Sequence, residues 1–575
     1  MVKTITILFI CFTSIVASHA NGQLAGDDCS IAIPATINGP NYFNNTTALP
    51  SSEPDPDESM CAGTFLDWNG SPDIWFIFTP TTTDTYKFTT CNLDGVDTSM
   101  VLYKGECDVA GSNLVQIACN GDSQNASNDC QLYYSEVEME LFVGYDYFIR
   151  IGGYNGAPEN LGFGELTISA AGTGNNGNIW YVDVDVPASG GGTSWSDAFQ
   201  KIEDALSIAT GGDQLWIAEG FYVPTTETTI GDPRSVTYFI RESIDLYGGF
   251  DGTEAILEDR DTFSHHTILT GDINSDDNAG GSNSENAYHV ITASNVTTGS
   301  IKIDGFWIHG GNANTTTDQF GGGIYIDDTV QIPVEVSKTR IQANAAEFGG
   351  AIANVSSLST LSLLKVILKL NEASSSGGAL YTLGDIAIDT SVIIGNTSQQ
   401  GNAGGGKFGG NVTILNTTFS QNTARVAGCI LSNGTSIEIQ NSILWNNPSI
   451  YGSNEQVSRS SATMTARYSC IENLPDDLIG NGNIDVNPCF NNVLGPDGEE
   501  GTGDEDFHLF QGSPCIDAGD NLVVTTQLDI GGMFRFIDDP YTTDTGNNPS
   551  ENPIADMGPS ELRPAETGID GVRIW

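Results

Sequence analysis

Gly349-Gly350-Ala351-Ile352-Ala353 and Gly377-Gly378-Ala379-Leu380-Tyr381 state one phrase twice, 28 residues apart. The phrase also stands at Gly321-Gly322-Gly323-Ile324-Tyr325, Gly404-Gly405-Gly406-Lys407-Phe408 and Ala427-Gly428-Cys429-Ile430-Leu431, with successive spacings of 28, 28, 27 and 23. Between these lies a second phrase, an apolar run closing on asparagine: Val334 to Asn344, Leu361 to Asn371, Ile386 to Asn396, Val412 to Asn422 and Ile437 to Asn447. Two unrelated phrases holding one period define a repeat array.

The period and the residue types select the architecture. Val412 and Ile414 alternate with Thr413 and Leu415, a spacing of two rather than the three and four of a helix. The runs are short, rich in Val, Ile and Thr, and bounded by Gly, Asn and Ser. No crossover helix separates them, which excludes a doubly wound sheet. The expected fold is all-β: a right-handed parallel β-helix in which each coil pairs with those above and below. Glycine permits the corner turns, asparagine tolerates left-handed backbone, and one asparagine per coil can stack into a hydrogen-bonded ladder.

The 575-residue chain exceeds one ordinary domain. Residues 1–20 read as an export signal, with Lys3, an apolar Ile5 to Val16 and a Ser18-His19-Ala20 cleavage site; cleavage after Gln23 is the alternative. No later run is apolar enough to span a bilayer. Ten cysteines remain beyond that signal: Cys29, Cys61, Cys91, Cys107, Cys119, Cys130, Cys429, Cys470, Cys489 and Cys515. No CxxC pair suggests zinc, so disulfides are expected in an oxidising compartment. Pairing stays open, with Cys107 to Cys119 or Cys130 the nearest choices. A net charge of −53 excludes nucleic acid as partner.

Residues 24–172 carry about seven strand-like runs with polar turns, the pattern of an antiparallel β-sandwich. Asp27-Asp28-Cys29, Asp73-Ile74-Trp75-Phe76, Asp97-Thr98-Ser99-Met100, Cys119-Asn120-Gly121-Asp122 and Tyr147 to Gly153 give this stretch its resemblance to bacterial pre-peptidase C-terminal domains and, more distantly, to CUB domains. The resemblance implies export and binding rather than chemistry, and through CUB-type loops it makes Asp97 and Asp122 calcium candidates. Residues 173–178 form a Gly/Asn linker. The β-helix is expected over 179–560, with 561–575 as a tail. A helix carrying Trp195, Phe199, Ile202, Leu206 and Ala209, capped by Ser194 or Ser196, should cover the open first coil.

Trp180-Tyr181-Val182-Asp183, Gly192 to Ala198, Leu246-Tyr247-Gly248-Gly249-Phe250 and Leu269-Thr270-Gly271-Asp272 resemble pectin-lyase-like β-helix proteins of bacterial surfaces. The later coils are similar to the repeats of polymorphic outer-membrane adhesins, with Gly-Gly-Ala before an aliphatic residue and Phe419 to Asn422 as their FxxN. The lyase and hydrolase members of the pectin-lyase-like class imply a basic or paired-acid site. The basic residues of the array, Arg340, Lys365, Lys369, Lys407 and Arg425, fall at unlike places in their coils. Of the polygalacturonase set only the acid pair Asp327-Asp328 stands, and an acid pair at a strand end equally makes a turn. An inverting hydrolase needs carboxyls roughly 6.5–9.5 Å apart across a cleft.

The expected function is therefore binding or adhesion without catalysis, toward an extracellular polysaccharide or cell-surface component, with a polysaccharide lyase or hydrolase as the alternative. Trp307, Tyr325, Tyr381 and Phe408 are the aromatic candidates for a binding face; each equally suits burial or a turn stack. His265, His266 and His289 could approach Asp272, Asp276 and Asp277 as metal ligands, and the polar excursion Asn274 to Asn286 could hold calcium.

Overall fold

The computed structural model describes residues 26–562 apart from 38–39, 52, 62–63, 65, 81–83, 92–95, 106, 109–110, 113, 124–132, 142–144, 171–176, 278–281, 452–455, 461, 499–504, 525, 527, 534 and 548–552. The expected export signal, Cys130, most of the expected linker and positions 563–575 lie outside the described residues. The chain forms two compact units, Met1–Thr173 and Gly174–Trp575.

In the first unit a five-stranded sheet runs in the order Ile33–Pro34, Asp73–Phe78, Tyr147–Gly153, Thr98–Lys104, Val115–Asn120. A four-stranded sheet runs Pro40–Asn44, Phe163–Ala170, Asp84–Thr89, Glu136–Leu141. Pairing is antiparallel except for the first short strand. Phe76, Phe78, Phe88, Ile149, Ile151 and Leu166 share the core of the sandwich. Trp68, Trp75, Val101 and Phe148 form a second apolar layer around the disulfides Cys29–Cys107 and Cys61–Cys119. Cys107 thus pairs with neither expected partner. The short hairpin Cys107–Ser112 returns to the turn Cys29–Ile31, and Val115–Asn120 lies on the turn Glu58–Cys61. Cys91 is also disulfide-bonded.

The second unit is a right-handed parallel β-helix. Ten strands from Ile179–Val182 to Thr463–Arg467 make its first face, and nine from Gly220–Tyr222 to Cys470–Ile471 its second. Eight from Tyr238–Ile240 to Val457–Arg459 make the third, and five from Asn312–Ala313 to Thr423–Ala424 the fourth. Every third-face pair is parallel and in register, which stacks like side chains. Inside the first face Ile303, Val336, Leu363, Ile388, Ile414 and Ile439 follow one another coil by coil, all buried.

The asparagine ladder is present. Asn344, Asn371, Asn396 and Asn422 each donate a side-chain N–H to the next asparagine's Oδ1, ending on Asn447, at 2.8–3.1 Å. A second ladder, absent from the sequence reading, runs along the opposite end of the second face. Backbone N–H groups of Val366, Ser391, Thr417 and Ser442 donate to the hydroxyls of Ser391, Thr417, Ser442 and Ser469. Both ladders satisfy polar groups at corners that face inward, where water cannot.

Four expectations are corrected here. The covering helix is shorter, Ile202–Ile208, without a side-chain cap. Trp195–Asp197 is a separate 3-10 turn, because Phe199 bridges to Val182 and pulls the chain into the first coil. The coils stop near Cys470–Ile471 rather than continuing to 560. The chain then turns back as a strap over the second face: Phe507 and Ile530 cover the outward Val392 and Ile394, while Leu509, Ile516 and Met557 cover Ile443 and Cys470. That row is apolar, and burying each such side chain contributes roughly 1.5–3 kcal/mol. Glu561, assigned by sequence to a tail, is buried and pairs with Arg535 at 3.1 Å. Finally, Cys429, Cys470, Cys489 and Cys515 are free thiols. Cys429 takes an inward core position, Cys489 is exposed, and Cys470 meets Cys515 in a hydrogen bond beneath the strap.

Candidate functional site

Strand register decides which aromatics face outward. On the third face the outward row reads Thr292, Tyr325, Ala353, Tyr381, Lys407, Leu431. Ala353 leaves a gap between the two tyrosines. Phe320 and Phe348, from the corner just before each glycine phrase, flank it, bridged to one another on successive coils. Phe320 stacks on Phe348 at 5.2 Å and on Tyr325 at 6.1 Å. Tyr381 meets Phe348 at 5.2 Å and Phe320 at 5.8 Å. All four rings are half-buried, so they form one aromatic platform across three coils. The glycines make it possible: Gly349 has φ +68°, and a Cβ there would come within 3.0 Å of Tyr381 Cβ.

The rim is polar. Lys407 Nζ lies 5.4 Å from the Tyr381 ring centre. His289 packs on Tyr325 at 4.9 Å and its Nδ1 lies 3.0 Å from the Gly321 carbonyl oxygen. The neighbouring His289, 3.8 Å away, with the hydrogen bonds from Thr317 and Thr315, holds Asp318 down to about 2 against burial. Burial raises the phenol of Tyr325 to about 12 and that of Tyr381 above its usual range, so both hydroxyls remain donors at neutral pH.

Other candidates fare differently. Trp307 sits on the second face, between His266 of the preceding coil at 4.0 Å and the Arg340 guanidinium of the next at 4.9 Å, and does not join the platform. Phe408 is corrected: it is fully buried in the core. The register pairs Tyr381 with Lys407 and Phe408 with Thr382. A one-residue offset reverses the face, and the Phe408 ring fills the space left by Gly406. Phe320 and Phe348 were missed, although the repeated Phe-Gly-Gly at 320–322 and 348–350 carries their signal.

Asp327 accepts from the Thr329 N–H at 2.9 Å and hydroxyl at 2.5 Å, while Asp328 is exposed. The acid pair is a turn. Lys365 stands at a left-handed corner, φ +55°. Burial, then Lys338, lowers it to about 8, with Asp529, Arg535 and Asp389 also acting on it.

Two acidic groups bear on the calcium expectations. In the first unit the charge of Asp122 acts on Asp97. Burial, then Asp122, raises Asp97 to about 6, burial raises Asp122, and Asp97 Oδ1 has no hydrogen-bond partner. The pair would offer a hard cation two carboxylates, one oxygen of which has no hydrogen-bond partner. In the β-helix, Asp272, Asp276, Asp277 and Glu285 bring carboxylate oxygens within 4.8 Å of one another. The histidines do not join them: His265 pairs with Glu219, His266 with Trp307 and His289 with Tyr325. Strand pairing spends them elsewhere, and Glu285 takes the place expected for them.

No family model matches the chain, and neither does any curated protein. Among solved structures it is similar to the pre-peptidase C-terminal domain of a collagenase from Bacillus anthracis, at 14% identity over 24% of this chain and 93% of that one, TM-score 0.14. It is similar to the pectate lyase Pel9A at 11% identity over 67% of this chain and 96% of that one, TM-score 0.35. The Agl-KA catalytic domain is similar at 12% identity over 70% and 87%, TM-score 0.19.

Proposed function

We propose that this chain is an exported, non-catalytic binding protein whose β-helix lays an extended polysaccharide along the third face. The platform of Phe320, Tyr325, Phe348 and Tyr381 carries the reading. Its coils repeat at about 4.8 Å, and half-open rings with phenol donors at the edge suit the apolar faces and hydroxyls of sugar rings. A net charge of −53 repels polyanions, which favours neutral glycans. The disulfides of the first unit support export to an oxidising compartment. Among the described residues no helix is long and apolar enough to cross a membrane.

The test is retention on a panel of neutral and acidic polysaccharides. Tyr381→Ala and Phe348→Ala should each weaken binding roughly tenfold, about 1.4 kcal/mol for a lost stacking contact. Both side chains are half-buried on the face, so circular dichroism should be unchanged. Absence of retention on every glycan, or unchanged retention in both variants, overturns the reading. The lyase alternative has one observation in its favour, the lowered Lys365 with Asp389 and Asp529 acting on it. Unsaturated product from an acidic polysaccharide, lost in Lys365→Met, would transfer the assignment to it.

In the first unit Asp97 and Asp122 are proposed to hold calcium. Both carboxyls titrate higher folded than unfolded, Asp97 at about 6 against 3.8. The folded state therefore holds the extra protons between those values. Without metal, stability falls as pH rises through roughly pH 4–6. Calcium should remove that slope by neutralising the ionised pair. Melting curves over pH 4–7 with and without chelator read it. Asp97→Asn should abolish the calcium response of the first unit, and a melting temperature that chelator leaves unmoved at pH 7 would sink the assignment.

A further inference from the structure

The strap carries an acidic cluster outside both sites above. Asp517, Asp538 and Asp544 each bring a carboxylate oxygen within 4.8 Å of the others. Asp517 is fully buried. Its Oδ2 accepts from the Asp539 N–H at 3.3 Å, whereas its Oδ1 has no hydrogen-bond partner. A buried carboxylate oxygen without a donor is destabilising, and here the charged groups around it are further acids. Arg535 is committed elsewhere, to Glu561 at 3.1 Å and to the carbonyls of Gly558 and Asp556 at 2.7 and 3.0 Å. Asp538 and Asp544 are exposed, so the cluster runs from the buried Asp517 carboxylate out to solvent.

We propose that Asp517, Asp538 and Asp544 bind a calcium ion that fastens the C-terminal strap to the β-helix. The donors are all hard oxygens, with neither imidazole nor thiolate, which suits calcium over a transition metal. The backbone already sets the three residues together. The Asp517 carbonyl accepts from the N–H groups of Thr545 and Gly546 at 2.9 and 3.1 Å, which brings Asp544 beside it. Asp520, three residues on, exchanges hydrogen bonds with Asn441 of the coil at 2.7 and 2.9 Å. An ion here ties residues 517 and 544 into one closed loop on that anchor. The strap it holds covers Val392, Ile394, Ile443 and Cys470.

The test uses the full chain in an Asp97→Asn background, stripped with chelator and titrated with calcium alone by calorimetry and equilibrium dialysis. Asp538→Asn/Asp544→Asn should bind one fewer calcium per chain than its parent. Asp517→Asn should lose the same ion while raising the melting temperature of the stripped protein, because it removes the orphaned charge. Calcium should slow proteolytic cleavage between residues 520 and 550 at least tenfold in the parent and in neither variant. Full calcium stoichiometry in the double variant, or strap cleavage indifferent to calcium in the parent, overturns the proposal. The retained Asp272 cluster contributes equally to parent and variants, so it does not enter the difference.

Discussion

Asn396→Ala should lower the stability of the β-helix by roughly 3 kcal/mol or more, the cost of stranding two or more buried polar groups. The Asn396 side chain donates to the carbonyls of Leu368 and Ile394 at 2.9 and 3.0 Å and to Asn422 Oδ1 at 2.9 Å. Its own oxygen accepts both the backbone and the side-chain N–H of Asn371, each at 3.0 Å. Alanine leaves the Asn371 backbone N–H inside the coil with nothing to meet, while the Asn371 side chain keeps only the Ile341 and Lys369 carbonyls. The Asn422 oxygen keeps no side-chain donor from the coil before. Urea midpoints measure the loss. Asn433→Ala, at an exposed corner residue with one long hydrogen bond at 3.3 Å, is the control and should shift stability by under about 0.5 kcal/mol. Equal shifts for the two variants would mean that the ladder does not hold the coils in register.

Arg150→Met should destabilise the sandwich by about 3–5 kcal/mol, the range for removing one partner of a buried ion pair. Arg150 and Asp73 are both fully buried, 2.5 Å apart. The guanidinium also donates to the Pro54 carbonyl at 2.8 Å and to the Ser51 hydroxyl at 2.9 Å, and packs on Trp68 and Trp75. Even so, burial outweighs the pair and raises Asp73 to about 6. Without Arg150 the carboxyl rises further. Below pH 6 it is protonated in both folded proteins, so the variant differs mainly by lost packing and hydrogen bonds. As pH rises above 6 the parent ionises Asp73 against its partner and the variant cannot, so the deficit grows. Melting temperatures of parent and variant at pH 5 and pH 8 test this, and a gap that narrows toward pH 8 would contradict it.

The platform shows how far spacing carries a site and where it stops. Tyr325 and Tyr381 were legible because each follows its glycine phrase by the same number of residues. Phe408 occupies that same place in its own phrase, yet the ladder aligns Gly406 rather than Lys407 with Leu380, so the ring turns inward. A repeat count is blind to one-residue offsets that strand pairing enforces. Phe320 and Phe348 stand at a corner, where alternation says nothing about direction.

What the sequence alone determined was the main part of what recurs: the parallel coil, its inward aliphatic row and its asparagine ladder. Each coil meets its neighbour about 25 residues away in register, so a short phrase repeated at that distance is already a statement about contacts. The tertiary structure alone decided what happens once. Cys29 finds Cys107 in the second apolar layer of the sandwich, the strap folds back over the second face, and Asp517 gathers Asp538 and Asp544. Those contacts join stretches with no shared period, and their partners are set by which surfaces remain apolar or unsatisfied after the coils have stacked.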